Sequence, residues 1–441
     1  MSHHNTLFSQ MLSLIPRHVF QKLEHRHKVG RASRKFGFKE QFTAMAFIQL
    51  AARRSMRDGL RCLAAAGNRL YHWGLKNVAR STFADANNSR PVGFFHDLFA
   101  EMYGLCATKT PKHKFRFKSK LFSLDATTIK LCLSLFPWAS FRQAKGGVKM
   151  HTLLDHDGHI PAFVTVTDAK THESRMAQSL ELPKASIVVF DKAYISYPWF
   201  RALEEKAIFF VTRLKRNAVY KLLERRPVRR GTGVTSDHII EVVSRGKGLR
   251  LRRIGYRDQK TGKHYEFLTN NFRLSPKTIA DIYKDRWQIE LFFKEIKQNL
   301  RIKTFVGNSE NAVLIQVYTA LTVYLLLAYQ KFLSRVGMNF AMAGIDHQPF
   351  KVRLVDQHFK QSFPHTIITP ANKSTVGVAP VAKVGRQISP WRTGVHDPKN
   401  CIYKASVVVG YAAPTPFAAR QKRLEFFPNS IRNVVSSMGR S

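Results

Sequence analysis

From about Phe20 to Ala107, apolar residues recur at the three-to-four-residue spacing of helices, as in FTAMAFIQLAARRSMRDGLRCLAAAG, which stops at Gly67. After the linker TKTPKHKFRFKSK the pattern changes to short apolar or alternating runs: LFSLD, GVKMHTLLD, HIPAFVTVT, SIVVFD and IFFVTRL, set apart by turn signals such as Asp157-Gly158. These predict five strands, the second and third joined through DHDGH as a hairpin. Helices are predicted around Glu173 to Ser179 and Pro198 to Glu205. The order β-β-β-α-β-α-β is that of a mixed sheet with helices on its faces. A polar, basic, strand-like insert (HIIEVV, LRLRRIGYRD, KHYEFLT) then precedes the helix IYKDRWQIELFFKEIKQNL, Ile282 to Leu300.

That helix carries two stripes. Ile282, Ile289, Phe293, Ile296 and Leu300 have the spacing of a face packed on a core. Tyr283, Arg286, Glu290 and Lys297 fall within about 60° of one another at helical pitch, beside the apolar face. Arg286 and Glu290 are also an i, i+4 pair of the kind that decorates solvated helices, so this row alone does not decide between surface and site. The next run, AVLIQVYTALTVYLLLAY from Ala312 to Tyr329, reaches the lower length limit of a membrane span. Its Gln316, Thr319, Thr322 and three tyrosines predict instead a helix buried on most sides and no membrane association. Such a helix needs partners beyond the sheet and the preceding helix.

Composition narrows the function. A chain of 441 residues with 44% hydrophobic and 12% aromatic content has enough apolar material for more than one sizeable core. Its 72 Lys and Arg against 29 Asp and Glu give a net charge of +43, a field suited to a polyanion, nucleic acid before an anionic membrane. Cys62, Cys106, Cys132 and Cys401 form no C-x-x-C pair, which argues against a disulfide framework or cysteine-based zinc site. The N-terminus lacks the pattern of a signal peptide, and a reducing cytoplasm is expected.

Within that frame, Asp125 closes the run LFSLD and Asp191 closes IVVFD. Open sheets place their sites outside the carboxyl ends of strands, and an acid after an apolar run is costly unless paired or bound to metal. Singly, each is more often a cap or turn residue. With Glu290 they make three carboxylates from separate elements, oxygen ligands that suit Mg2+ or Mn2+, two of which can drive phosphodiester cleavage. His151, Asp155, His156, Asp157 and His172 are left outside this metal site, the first four as polar residues of a hairpin turn. In GLKNVARSTFADANNSRP, Ser81 is a candidate N-cap for a short helix of Thr82 to Asn88, with Arg80 and Arg90 at its ends and Pro91 stopping it. This is either a DNA-recognition helix or an ordinary capped surface helix.

LFSLD, IVVFDKAYISY, FFVTRLK and the spacing Y-x2-R-x3-E-x6-K resemble DDE transposases of bacterial insertion sequences, in the insertion-sequence-four family, over roughly Phe20 to Gly337; SMRD and RSTFADANNSR resemble its helical leader. The resemblance implies an α/β, RNase H-like mixed sheet interrupted by a β-rich insertion before the glutamate helix. The expected domains are a helical DNA-binding domain over 1–110, catalytic core over 118–214, insertion over 215–270, further core over 271–337 and an irregular tail over 338–441. It further implies Asp125, Asp191 and Glu290 as catalytic ligands of two Mg2+ ions, with Mn2+ able to substitute. Tyr283, Arg286 and Lys297 would hold DNA phosphates, Trp287 would stack on an unpaired base or pack against the insertion, and Arg80, Ser81, Thr82 and Arg90 would contact DNA. The expected partner is double-stranded DNA, namely terminal inverted repeats and target, bound by a homodimer on paired ends in the bacterial nucleoid. Water activated by the ions would cut one strand, and the freed 3′-hydroxyl would attack the opposite strand and then the target. The alternatives are an inactive relic or repressor that only binds DNA, and an RNase H-like nuclease without strand transfer. After Gly337 the chain departs from the family: half of its 18 prolines lie there with few acids, where relatives continue as Leu-rich helices. A basic disordered tail or, preferably, an altered reading frame would explain this.

Overall fold

The computed structural model describes residues 7–333, except 29–35, 54, 143–144, 169–172, 245 and 301–304. The expectations for 338–441 and for His172 lie outside the described residues. Seven helices come first among those described: α1 (Leu7–Ser13), α2 (Arg17–Arg26), α3 (Phe38–Leu50), α4 (Met56–Ala64), α5 (Arg69–His72), α6 (Arg80–Ser89) and α7 (Val92–Ala107). Local chemistry sets their ends. The Glu40 carboxylate accepts the Gly37 N–H at 2.7 Å to open α3, and Ser55 Oγ accepts the Asp58 N–H at 3.2 Å to open α4. The helical run closes at Gly67, whose φ of 54° suits a residue without Cβ.

The strands are β1 (Leu121–Leu131), β2 (Ser140–Arg142), β3 (Lys145–Asp155), β4 (Ile160–Asp168), β5 (Ile187–Phe190), β6 (Phe209–Arg213), β7 (Lys221–Arg225), β8 (Val234–Ser244), β9 (Lys247–Arg257) and β10 (His264–Thr269). Interspersed are α8 (Glu173–Ala177), α9 (Tyr197–Glu205), α10 (Pro276–Asp285), α11 (Gln288–Asn299) and α12 (Glu310–Leu333). All the strands join one sheet in the order β2-β3-β1-β5-β6-β10-β9-β8-β7, with β4 beside β3. β1, β5 and β6 run parallel, while β3 is antiparallel to β1 and β4. The five predicted strands therefore stand in the order β4-β3-β1-β5-β6, the RNase H-like arrangement. Residues 215–270 prolong this sheet, because β10 pairs antiparallel with β6 through Phe267↔Arg213 to Thr269↔Val211.

Alternation along the strands feeds two cores. Leu121, Ile187, Val189 and Val211 pack with Ile279, Ala280 and Ile282 of α10. Phe122, Leu124, Val188, Phe190 and Phe210 share the other core with α9, α11, α12 and the N-terminal helices. α12 is long and apolar enough to cross a membrane, yet 72% of its apolar window is buried in the protein. It packs chiefly against α7 and also against α3, α6, α1 and β4. The partners that its composition demands are thus supplied from the N-terminal side of the chain.

Two sequence expectations need correction. α6 starts at Arg80 with Ala79 as N-cap, and Ser81 makes no capping bond. Burial of Phe83 fixes this start, since its N–H bonds to Ala79 O at 3.1 Å and closes the first turn there. The predicted helix Ile282 to Leu300 is two helices with a turn at Arg286-Trp287. Its apolar stripe divides accordingly: Ile282 belongs to one core, and Ile289, Phe293, Ile296 and Leu300 to the other. No straight helix serves both faces of a sheet.

Candidate active site

β1 does not end at Asp125. It continues to Leu131 because its antiparallel pairing with β3 runs from Phe122↔Asp155 to Leu131↔Gly146. What stops at this level is the parallel pairing with β5, whose last partners are Leu124↔Phe190. Asp125 and Asp191 are therefore the next residues on two neighbouring parallel strands, at their carboxyl edge. Asp125 Oδ1 accepts the Ala126 N–H at 2.8 Å, and Asp191 Oδ1 accepts the Lys192 N–H at 2.7 Å as cap of a 3-10 turn, Lys192–Tyr194.

The turn between α10 and α11 brings the charged row to this edge. Arg286 Nη1 donates to Asp125 Oδ2 at 2.9 Å and Nη2 to Glu290 Oε1 at 2.9 Å. The Tyr283 hydroxyl lies 3.4 Å from Asp191 Oδ1, and its ring lies under the Arg286 guanidinium at 5.6 Å. The Lys297 ammonium donates to Thr127 Oγ1 and, at 3.1 Å, to Thr128 O. The row is thus half-buried, and three of its members, Tyr283, Arg286 and Lys297, reach residues on β1 or just after β5. Burial pushes the Asp125 carboxyl up to about 6, against the pull of the Ala126 N–H and Arg286, with Glu290 and Asp191 adding negative charge. Burial likewise raises the Tyr283 phenol to about 12. Trp287 projects from the turn and is 57% exposed.

In α6, Arg80, Ser81 and Thr82 are exposed. Arg90 differs: its guanidinium donates to the carbonyls of Gly37 and Phe36 and to Gln41 Oε1, and it stacks over Phe36 and Phe38. Arg90 clamps α6 to α3.

The hairpin acids are not solvated turn residues. Asp155, His156 and Asp157 are at most 1% exposed. Lys120 bridges Asp155 at 2.8 Å and Asp157 at 2.7 Å, and the Tyr103 hydroxyl donates to Asp155 at 3.0 Å. Ser123 Oγ lies 2.6 Å from His156 Nε2, and His156 Nδ1 donates to Asp285 Oδ2 at 2.8 Å. This buried strut ties β1, two residues before Asp125, to the last residue of α10, beside Arg286. Sequence reasoning missed it; the available signal was a basic linker, Lys112 to Lys120, opposite the acidic turn DHD. Ligand atoms of His156, His159 and Asp285 also lie within 4.8 Å of one another. However, both His156 nitrogens are engaged and Lys114 is ion-paired with Asp285, which disfavours a second positive charge there.

Carboxylates gathered at the carboxyl edge of a parallel strand pair, with cations among them, are the equipment of a metal-dependent enzyme that works on phosphodiesters. Residues 116–326 match the transposase DDE domain, and residues 3–76 match a domain of unknown function. A Sinorhizobium fredii protein named as a transposase is 35% identical over 58% of this chain and 72% of its own length. A Geobacillus stearothermophilus protein named as a transposase for an insertion sequence element is 28% identical over 75% of this chain and 86% of its own length. Among solved structures, a piggyBac transposase synaptic complex with hairpin DNA aligns over 83% of this chain and 85% of that one, at 11% identity and a TM-score of 0.34. The chain belongs to the DDE transposases, enzymes that cleave DNA and transfer strands with divalent metal ions.

Proposed function

We propose that this enzyme belongs to the insertion-sequence-four branch, marked by Tyr283, Arg286, Glu290 and Lys297, and cuts and pastes its element at terminal inverted repeats. In this reading Asp125, Asp191 and Glu290 hold two divalent ions, Mg2+ with Mn2+ able to substitute. The observation that carries it is Arg286, whose single guanidinium reaches carboxylates from β1 and α11 while Tyr283 in the same row reaches Asp191. The residues fit divalent ions: the donors are hard carboxylate oxygens, and burial, with Glu290 and Asp191 adding negative charge, pushes Asp125 up to about 6. Such ions supply activation of the attacking oxygen and neutralisation of the leaving one.

The chain's own residues do the rest. Arg286 offers a planar fork that matches two phosphate oxygens, and Lys297 adds a point charge on the same face. Tyr283 orients Asp191 and backs the Arg286 guanidinium. Trp287 presents an exposed ring on which an unpaired base stacks. Arg80, Ser81 and Thr82 on the open face of α6 contact duplex DNA, and a homodimer holds the paired ends in the cytoplasm.

The test uses purified full-length protein, duplexes bearing the element's ends, and Mg2+. Asp125→Ala, Asp191→Ala and Glu290→Ala each abolish cleavage while a gel shift shows DNA binding largely retained. Cleavage surviving in Asp191→Ala would refute the assignment.

A further inference from the structure

Arg286 sits where two demands conflict. Its Nη1 and Nη2 each take one carboxylate oxygen, from Asp125 and from Glu290, so the fork is split over two acids rather than docked on one. Its side chain is 13% exposed, and its buried Nε has no hydrogen-bond partner among the described residues. The guanidinium is thus held firmly enough to neutralise both acids, yet part of its donor set is unused. A divalent ion needs the same oxygens at short range, and Asp125 Oδ1 is already engaged by the Ala126 N–H. Two cations on one pair of carboxylates repel. Arg286 lies in the turn between α10 and α11, where the Arg286 and Trp287 N–H groups bond to Tyr283 O and Lys284 O, each at 3.3 Å.

Resting on the metal-ligand reading above, we propose that Arg286 is an exchangeable counter-ion: it competes with divalent cations for Asp125 and Glu290, and gives way when a DNA phosphate takes its guanidinium. A phosphodiester offers the two coplanar acceptors that the split arrangement denies it. Metal and DNA are then coupled through one side chain, and the coupling is reciprocal: DNA raises metal affinity by the factor by which metal raises DNA affinity. The site stays weakly loaded until substrate arrives, which restrains cleavage of DNA that has not engaged the row.

Mn2+ binding to the full-length protein, followed by the electron paramagnetic resonance of free Mn2+, tests this without relying on activity. Without DNA, Arg286→Gln and Arg286→Ala should bind Mn2+ about tenfold more tightly than the parent, the scale of one charge-assisted hydrogen bond. A short blunt duplex with 5′-phosphates should tighten Mn2+ binding to the parent by a similar factor and leave both variants unchanged. Lys221→Ala, which removes an exposed positive charge from β7 at the far end of the sheet, should behave as the parent. Circular dichroism confirms folding, and Gln preserves most of the side-chain volume should Ala disturb the turn. Equal or weaker Mn2+ binding in both Arg286 variants overturns the proposal, as does DNA tightening that persists in them. Asp125→Ala and Glu290→Ala separate the two levels: if they leave Mn2+ affinity unchanged the metal-ligand reading itself fails, whereas if they lose it and the Arg286 variants gain nothing, only the exchange fails.

Discussion

Removing the Asp285 carboxylate should loosen the strut that aligns the α10–α11 turn with β1. Burial opposes the charge of Asp285, but hydrogen bonds and charge from His156 and Lys114 outweigh it and pull the carboxyl down from 3.8 to about 2. At 1.36 kcal/mol per pKa unit, that difference contributes about 2 kcal/mol of stability at neutral pH. Asp285→Asn keeps the volume and loses the charge, so it should cost about 2 kcal/mol. Asp285→Ala also strands the buried His156 N–H, and its cost should rise to about 3–5 kcal/mol, the range for breaking a buried pair. Urea unfolding at pH 7, run as a double-mutant cycle with His156→Ala, should show a coupling of about 1–3 kcal/mol between the two sites. The pH dependence has a definite sign. A depressed carboxyl pKa gives stability that is complete above the unfolded value of 3.8 and is lost as pH falls through about 2, so the difference between parent and Asp285→Asn should shrink between pH 4 and 2. An Asp285→Asn cost below about 0.5 kcal/mol, typical of an ordinary surface change, or strictly additive single variants, would refute the strut.

Other outcomes follow from the same geometry. On the proposed ligand set, with Asp125 raised to about 6, a proton competes with metal below that value: Mn2+ affinity should be level above about pH 7 and fall up to tenfold per unit below pH 6, a dependence lost in Asp125→Asn. In the insertion, Arg252 forks onto the buried Asp237 at 2.8 and 2.7 Å and donates to Asn271 O and Leu274 O. Arg252→Ala should cost about 3–5 kcal/mol in urea unfolding, since it leaves a buried charge unpaired. Arg80→Ala should lower the salt dependence of DNA binding by about one unit, with stability unchanged. Arg90→Ala should instead destabilise the helical region, because its guanidinium is committed to α3; a salt-slope effect without a stability effect would reverse that assignment.

The strand runs were legible because each carries its own local period, and so were Asp125 and Asp191, because an acid after four apolar residues marks where burial ends. α12 was legible for the opposite reason: a helix apolar nearly all round must be enclosed. Which elements enclose it was not, since α3 and α7 meet it through contacts far apart in sequence. Arg90 read as a DNA contact because its charge is local information and its acceptors on Phe36, Gly37 and Gln41 are not. The single helix from Ile282 to Leu300 was predicted because each half keeps helical spacing, and nothing in the spacing says that the halves serve different faces of the sheet. The sequence by itself determined the elements, the charge and the acids and bases that meet at the site. Only the tertiary structure decided the parallel register that sets Asp125 beside Asp191, the turn that carries Arg286 and Glu290 over that edge, and the buried Ser123, His156 and Asp285 behind them. The physical reason is that strand pairing and charge pairing depend on distances through space, and a one-dimensional period records only the face a residue occupies on its own element.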